Sequence, residues 1–502
     1  MAPEELSSTR YIAHDNEPPS DLEATRKTIL EALTAAVERV ERHYAGTHHT
    51  TGSVYVGVEG IILMNHHIRH LPGAKSVDAL ASSTLDKNSR RHLNAAILHS
   101  RIAPPRTCSR SSFLETSIGT ATLVLLYLLG SSSPLHYPKN WETCVNAISG
   151  ALRLASREEM SEDGCEVLYG RAGLLYALLR LRSALPKATR EQVEVVRAIE
   201  PLVADTSLTT LVDDIVERGA AGAKEYAHEL NGNGPPLMWS WHGKRYLGGA
   251  HGVAGILQIL LQCPSSTIKP HREAIAKTLE WLIGIQCSDG NWPHKASIHP
   301  EIDPDEDMVQ YALHPHLPFP SPHPPFRRWC HGAPAVLILI STFLRRARTS
   351  KTLGAALSAH PDLEPSILSA ARKAAELVYR RGFLRKGVGL CHGVGGSVYA
   401  LLAASQILDT DTIARDADEQ RDGGGEEGGE GGETLRKAAH LALLAADWAP
   451  LTEEGVMSTP DRPWSLYEGA AGMCCAWADL LRALAGKEVI GMPGYADIQY
   501  SR

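Results

Sequence analysis

The 502-residue chain lacks any apolar run long enough to cross a membrane as a helix. Its longest uncharged apolar stretches lie near 120–129 and 333–344, whereas a spanning helix needs about 20 residues. The N-terminus reads MAPEE, without the basic and apolar leader of a secreted protein and without a glycine at position 2 for myristoylation. We therefore expect no transmembrane segment and a cytoplasmic location.

The chain also lacks a strong net charge and a regular cysteine pattern. A formal net charge of −7 gives no sign of a nucleic-acid surface. Nine scattered cysteines do not resemble a disulfide framework, which favours a reducing compartment. With 43% hydrophobic and 21% charged residues, the composition is typical of a folded globular protein with ample core. None of these properties identifies a partner.

A Gly-x-x-Gly word, followed by apolar residues at helical spacing, recurs along the chain. Five complete copies and two degraded copies begin at Gly57, Thr116, Gly170, Gly252, Gly332, Gly393 and Gly469. In the copy at Gly252, the apolar residues Val253, Ile256, Leu257 and Leu260 fall on one helical face. Strand signals are sparse. Seven loop-to-helix units therefore predict an all-α chain with a helix pair in each unit.

Repeated helix pairs either stack as an open solenoid or close into an α/α toroid, and the spacing alone does not choose between them. Because evenly spread repeats can build one large body, we expect a single domain over residues 1–502. One stretch stands outside the repeats: residues 422–433 read DGGGEEGGEGGE. Glycine and acid alone cannot build a core, so we expect a disordered acidic loop over about 415–434.

Two Cys-His-Gly words carry the clearest chemistry. Cys330 and Cys391 begin these words, 61 residues apart, each where a loop enters a predicted helix. The exposed N–H groups of a helix start favour thiolate, and thiolate with imidazole is a donor set that zinc prefers. A third near-copy, Gly249-Ala250-His251-Gly252, keeps the His-Gly but lacks the cysteine. The spacing is far too long for a zinc finger.

Two cysteines and one histidine would leave the fourth position of a zinc ion open, which is typical of catalytic zinc. Such an ion lowers the pKa of whatever it binds. Bound water would indicate a hydrolase, and a bound thiol would indicate a thiolate nucleophile. His251 could act as a general acid or base, or it could simply hydrogen-bond to a loop carbonyl.

The segments YLGGAHGVAGI, RRWCHGAPA, GLCHGVGG and SLYEGAAG, with EVLYGRAG and IGIQCSDGNWP, resemble the LanC-like proteins, the eukaryotic relatives of the bacterial lanthipeptide cyclases. The resemblance runs from about Tyr55 to Leu480. It implies an α/α toroid of seven inner and seven outer helices, with zinc at one end of its axis. The implied zinc ligands are Cys330, Cys391 and His392, with His331 left as a neighbour.

The resemblance further implies that His251 is the active-site histidine and that Glu166 occupies the place of an acidic residue used by the bacterial enzymes. The eukaryotic branch adds glutathione to dehydroalanine or dehydrobutyrine residues in proteins, by attack of a zinc-held thiolate on the alkene and protonation of the resulting enolate. Glutathione carries two carboxylates, which basic residues should bind. Lys386 matches a glutathione-contacting lysine of the family, and Arg10 is a weaker match.

Two alternatives remain open. The chain could be a non-catalytic scaffold that binds glutathione or signalling proteins such as protein kinases, keeping zinc for stability, because fold alone does not confer activity. It could also be a lanthionine-forming peptide cyclase, which would need a dedicated precursor peptide. The set of Cys330, Cys391, His392 and His251 favours the enzyme, because a scaffold has no need of an acid beside an open zinc.

Overall fold

The structure, a computed structural model, describes residues 10–45, 52–69, 71–72, 77–130, 141–156, 164–188, 192–230, 232, 234–296, 329–419 and 432–498. In these ranges every regular element is a helix, and extended pairing is limited to isolated bridges such as the one between Tyr11 and Leu384. The predicted all-α class is therefore confirmed for the described part of the chain.

Fourteen helices of the described ranges alternate between an outer and an inner position. They are α1 (Leu22–Ala45), α2 (Val58–Ile68), α3 (Ser82–His99), α4 (Ser117–Gly130), α5 (Trp141–Ala155), α6 (Arg171–Ala184), α7 (Asp205–Glu229), α8 (Val253–Leu260), α9 (Arg272–Gly284), α10 (Ala333–Thr349), α11 (Leu363–Arg381), α12 (Val394–Glu419), α13 (Glu433–Leu444) and α14 (Ala470–Leu484). Four shorter helices lie in the connections, at Val193–Ile199, Ser265–Ile268, Lys351–Ala359 and Trp448–Glu453.

The even-numbered helices are buried on nearly all sides, and the odd-numbered ones on one face. All eight residues of α8 are buried. In α11 the buried side chains recur at Leu363, Ile367, Ala370, Ala374 and Val378, the spacing of an amphipathic surface helix. None of the described helices combines the length and the apolar character needed to span a bilayer. The even-numbered helices thus form the inner layer around the core.

Contacts between the inner helices form a closed ring. Helix α2 packs against α4, α4 against α6, α6 against α8, and α8 against α10. The ring continues from α10 to α12 and from α12 to α14, and α14 packs against α2. The first and last units of the chain are therefore neighbours, which an open solenoid would not allow. The closed arrangement, left undecided by the repeat spacing, is the one observed.

The acidic loop expected at about 415–434 lies mostly outside the described residues. Helix α12 continues to Glu419 and α13 begins at Glu433, so these helices reach into the approximate bounds of the expected loop. Residues 415–419 read RDADE, without glycine, and alanine, arginine and glutamate favour continuation of a helix. The predicted disorder concerns residues 420–431, which lie outside the described residues.

The second glycine of each complete word packs its α-carbon against a carbonyl six residues earlier. A β-carbon on Gly173 would lie 2.3 Å from the Val167 oxygen, and one on Gly255 would lie 2.0 Å from the Gly249 oxygen. The unit beginning at Gly332 differs, because it carries Ala335 and its Gly332 has φ of 83°. That left-handed conformation, which glycine adopts readily, gives this loop another path, in which the fully buried Ala335 methyl is accommodated.

The first and the last described segments of the chain both dock on the ring. In the N-terminal strap (residues 10–16), Ile12 N donates to Phe383 O at 2.7 Å, and Arg385 N donates to Arg10 O at 3.0 Å. The C-terminal segment (residues 486–498) reaches the inner layer, where Gln262 Nε2 donates to Tyr495 O at 2.7 Å. The Tyr495 side chain is fully buried.

Candidate functional site

Seven loops that precede the inner helices meet at one end of the ring. Their backbones are joined by hydrogen bonds: Cys391 N donates to Tyr467 O at 2.8 Å, Tyr467 N to Tyr55 O at 3.0 Å, and Tyr55 N to Leu114 O at 3.0 Å. In each unit one residue stands two positions before the inner helix, and we call this the rim position. The seven rim residues are Val56, Glu115, Tyr169, His251, His331, His392 and Glu468.

The structure brings Cys330, Cys391 and His392 together across two adjacent units. The Cys391 thiol is in hydrogen-bonding contact with Cys330 and with His392. Burial raises the pKa of the Cys391 thiol well above its usual range and the neighbouring Cys330 raises it further, while His392 acts in the opposite direction. Two adjacent buried thiols favour the protonated state, and a metal ion held by these residues would need them ionised.

The donor set of two sulfurs and one imidazole fits zinc. Among the described residues, three donor atoms that all lie within 4.8 Å of one another occur in a different group, at His14, Asp15 and His440. The donor atoms of Cys330, Cys391 and His392 do not all lie within this distance of one another, although Cys391 contacts both of the other residues. The expected ligands are thus adjacent but do not form a closed three-donor group.

The His14 group is explained by docking of the N-terminal strap. His14 Nε2 lies 2.9 Å from Tyr379 O, and His14 Nδ1 accepts from Asn16 N at 3.2 Å. His440 Nδ1 is 2.7 Å from the Tyr379 hydroxyl. Both His14 nitrogens are engaged with protein atoms. This group therefore holds the strap against α11 and α13 rather than offering free ligands.

His251 and Glu166, predicted from the resemblance, are in direct contact. His251 Nδ1 lies 3.1 Å from Glu166 Oε2. The Glu166 carboxylate is 1% exposed and also accepts hydrogen bonds from Leu168 N at 2.7 Å and Tyr169 N at 2.8 Å. Because its oxygens are engaged and buried, Glu166 is placed to orient the imidazole rather than to touch a substrate. This arrangement leaves Nε2 as the ring nitrogen available for chemistry.

Trp241 and Tyr169 complete the surroundings of His251. The Trp241 ring lies parallel to the His251 ring, with 3.8 Å between centroids and 7° between planes. Tyr169 is stacked with His251 at a centroid distance of 6.2 Å. A tight turn at 241–244, with positive φ at His242 and Gly243, positions the indole. The sequence analysis did not single out Trp241, although residues 241–244 read WHGK, which contains a glycine typical of a tight turn.

Two carboxylates of the rim were also missed. Glu115 interacts electrostatically with Glu468, Glu166 and Arg110, and its carboxylate is hydrogen-bonded to Ser53. Burial raises the pKa of Glu115 to about 7; the Ser53 hydrogen bond and Arg110 oppose this shift, and the two neighbouring carboxylates add to it. The available signal was positional, because Glu115 precedes its degraded Gly-x-x-Gly word as His251 and His392 precede theirs.

Tyr55 adjoins the two cysteines. Its hydroxyl is hydrogen-bonded to Cys391, and burial followed by the nearby Cys391 and Cys330 raises the pKa of Tyr55 well above its usual range. The Tyr55 ring is stacked on Tyr467, with 4.6 Å between centroids. Beneath this level, Trp329 contacts Tyr495 of the C-terminal segment edge-to-face at 4.9 Å. The C-terminal segment thus supports the base of the site.

His331, which the resemblance left as a neighbour, contacts a different histidine. Its ring meets that of His294 edge-to-face, with 3.8 Å between centroids, and Tyr246 lies 5.9 Å away. Cys391 is in contact with His392. This placement agrees with the choice of His392 over His331 as a ligand but does not test it.

Lys386 and Arg10 are brought onto neighbouring backbone segments. The bridge between Tyr11 and Leu384 sets the strap beside the chain that leads to Lys386, and the Lys386 side chain is exposed. A shallow cleft begins at the next residue, Gly387, and is also lined by Trp448 and Pro460. The two predicted cations therefore lie on neighbouring backbone segments.

Comparisons with known proteins agree with this picture. Residues 48–485 match the family described as "Lanthionine synthetase C-like protein". The chain is 25% identical over 325 residues to "Glutathione S-transferase LANCL1" of Danio rerio (64% of this chain and 60% of that protein). It is 28% identical over 331 residues to "LanC-like protein GCL1" of Arabidopsis thaliana (66% and 57%).

The matched region therefore spans about 60% of the length of these two curated relatives. A solved structure of "Nisin cyclase" aligns over 88% of this chain and 92% of its own, with 15% identity and a TM-score of 0.48. Because the family match extends over most of the chain, from before the first repeat to the end of the last inner helix, the chain belongs to the lanthionine synthetase C-like family.

Proposed function

We propose that this protein is a zinc-dependent transferase that adds the glutathione thiol to dehydroalanine or dehydrobutyrine residues of proteins or peptides. The observation that carries the proposal is the His251–Glu166 contact of 3.1 Å in the ring of loops that also holds Cys330 and Cys391. A positioned histidine beside a soft-metal donor set is the combination that thiol addition needs. The relative whose name contains "Glutathione S-transferase" supports the choice of thiol.

Cys330, Cys391 and His392 are the residues that would hold zinc. Bound there, the ion would lower the pKa of a coordinated thiol, so that the thiolate persists near neutral pH. Tyr55 donates a hydrogen bond at Cys391 and so orients that side chain, as outer partners of metal ligands generally do.

His251 is assigned the proton transfers. The reaction joins the thiol sulfur to the β-carbon of the alkene, and the thiol proton finishes on the α-carbon. With Nδ1 directed at Glu166, Nε2 can accept the proton and return it to the α-carbon. The parallel Trp241 ring holds the imidazole plane, so the nitrogen is presented in one direction and proton transfer needs little reorganisation.

Lys386 and Arg10 are assigned to the glutathione carboxylates. Both belong to the surface formed by the strap and the chain before Cys391, and charge-assisted hydrogen bonds from such residues are strong. We also propose that residues 1–502 act as one α/α toroid of seven inner and seven outer helices, in agreement with the closed ring of contacts. A reducing compartment such as the cytoplasm suits nine cysteines without disulfides among them.

The test is turnover of a dehydroalanine peptide with glutathione, followed by mass spectrometry together with the metal content of the protein. We expect about one zinc per chain and a thioether product. His251→Asn should retain zinc and slow the addition by roughly 10²-fold or more, whereas His228→Asn, on the exposed face of α7, should match the parent. Glutathione binding without turnover would indicate the scaffold, and ring closure within a thiol-containing peptide would indicate a cyclase.

A further inference from the structure

Glu115 holds the rim position of the second unit, on the same side of the site as His251. Tyr169, the rim residue of the third unit, is stacked with His251 and interacts electrostatically with Glu115. Glu115 is therefore separated from His251 by a single rim residue. Its backbone is held by Ser112, whose hydroxyl accepts from Glu115 N at 3.3 Å.

Charged and titratable groups surround Glu115 from three units. Glu468 faces it from the seventh unit and Glu166 from the third, and Arg110 lies on its own loop. The Arg110 guanidinium also stands over the Tyr169 ring, 5.2 Å from the centroid. Ser53, from the first unit, is its hydrogen-bond partner. Burial is the main cause of the raised pKa of Glu115; the Ser53 hydrogen bond and the Arg110 guanidinium oppose it, and the two carboxylates add to it.

Glu115 differs from Glu166 in what it can offer a substrate. Glu166 is fully buried and is engaged by His251 and two backbone N–H groups. Glu115 is partly exposed, and its carboxyl lies next to two other carboxylates, which disfavour its ionisation. A carboxyl that keeps its proton near neutral pH can donate a hydrogen bond, which an ionised carboxylate cannot.

We propose that Glu115 is a further catalytic residue of this site, whose protonated carboxyl donates a hydrogen bond to the carbonyl oxygen of the dehydroamino acid. The inference rests on the proposed function and specifies how the alkene is activated. As the sulfur–carbon bond forms, the π electrons of the alkene move onto that oxygen, and a preorganised donor there stabilises the developing charge. Glu115 keeps its proton throughout, and His251 carries the thiol proton to the α-carbon, so atoms and charge balance.

The test compares Glu115→Gln with Glu115→Ala in the full chain, with zinc content checked in each. Glutamine can still donate to the carbonyl oxygen, so Glu115→Gln should keep turnover within about threefold of the parent near pH 6.5. Alanine removes the donor and should lower turnover by roughly 10²-fold, the usual effect of losing one such donor. Above about pH 7 the parent should lose activity relative to Glu115→Gln, because the parent carboxyl ionises and the amide does not.

The variant Glu468→Gln tests the role of Glu115 through the pH at which activity is lost, which would not change if Glu115 were only structural. Removal of the Glu468 charge lowers the pKa of Glu115. Activity should therefore begin to fall at a lower pH in Glu468→Gln, compared with the double variant Glu468→Gln/Glu115→Gln, than it does in the parent compared with Glu115→Gln. Parent-like activity of Glu115→Ala, or inactivity of Glu115→Gln with zinc retained, would overturn the inference alone. A zinc-loaded parent that adds no thiol would overturn the proposed function and this inference with it.

Discussion

The Trp241 and His251 rings lie face to face, with centroids 3.8 Å apart and planes within 7° of parallel. Aromatic contacts of this kind contribute about 0.5–1.5 kcal/mol beyond buried area. The stack, together with the Glu166 contact at Nδ1, leaves the imidazole little freedom to rotate. The geometry of the histidine is therefore decided by two residues from other loops.

Trp241→Ala should slow thiol addition by about 2- to 10-fold, the rate equivalent of losing this stack. Steady-state kinetics with a dehydroalanine peptide would measure the effect, and zinc content should not change. Trp241→Phe keeps an aromatic face and is the matched control, expected to lie close to the parent. Equal losses in both variants would show that the indole acts in another way.

Cys391→Ala should strip the protein of zinc or weaken binding severely, because Cys391 contacts both other proposed ligands. His331→Ala should retain the metal, since that ring packs against His294. Elemental analysis after dialysis against a mild chelator measures both. Loss of zinc from His331→Ala with retention in His392→Ala would reverse the assignment of the third ligand.

Lys386→Ala should weaken glutathione binding by roughly 1–3 kcal/mol, the effect expected for a charge-assisted hydrogen bond. Calorimetric titration of glutathione gives this value directly. Lys373→Ala removes an exposed lysine of α11 and should leave affinity unchanged. A small uncharged thiol lacks the carboxylate, so its addition should be nearly unaffected by Lys386→Ala. Equal losses with both thiols would mean that Lys386 shapes the loop before Cys391.

Asp497 anchors the C-terminal segment. Its Oδ1 accepts from the Tyr176 hydroxyl at 2.7 Å and from Gly494 N at 3.2 Å, and the residue is 2% exposed. Asp497→Ala leaves buried donors unsatisfied and should lower the free energy of unfolding by about 2–4 kcal/mol. Denaturant unfolding measures this, with the exposed Asp447→Ala as control. An equal, small change in both variants would show that the segment is held by other contacts.

Glu115 also predicts a pH dependence of stability. Its pKa of about 7 in the fold lies above the ordinary value of 4.5, so between these limits the folded state binds more protons than the unfolded state. Stability therefore falls as pH rises through this window. Glu115→Gln removes the penalty and should gain up to about 3 kcal/mol relative to the parent between pH 5 and pH 8. The exposed Glu453→Gln should show no such trend.

Local sequence was enough to predict the helical class, the seven units and the loops on which the candidate site residues lie. Glycine pairs and helical apolar spacing are short-range signals, and the two Cys-His-Gly words stand out because each places a thiol next to an imidazole, both of which are donors that zinc prefers. The disorder expected for about 415–434 stays a prediction, because residues 420–431 lie outside the described residues.

Only the tertiary structure decided that the ring closes, because closure depends on contact between α14 and α2, at opposite ends of the chain. The partners of each site residue depend on the same closure. Glu166 meets His251 across 85 residues, and Glu115 meets Glu468 across the junction of the last and first units. Residue types and their order determined which groups could react. Packing of distant loops determined which carboxylate contacts His251 and which lies near two other carboxylates, because burial and neighbouring charge are properties of the folded chain.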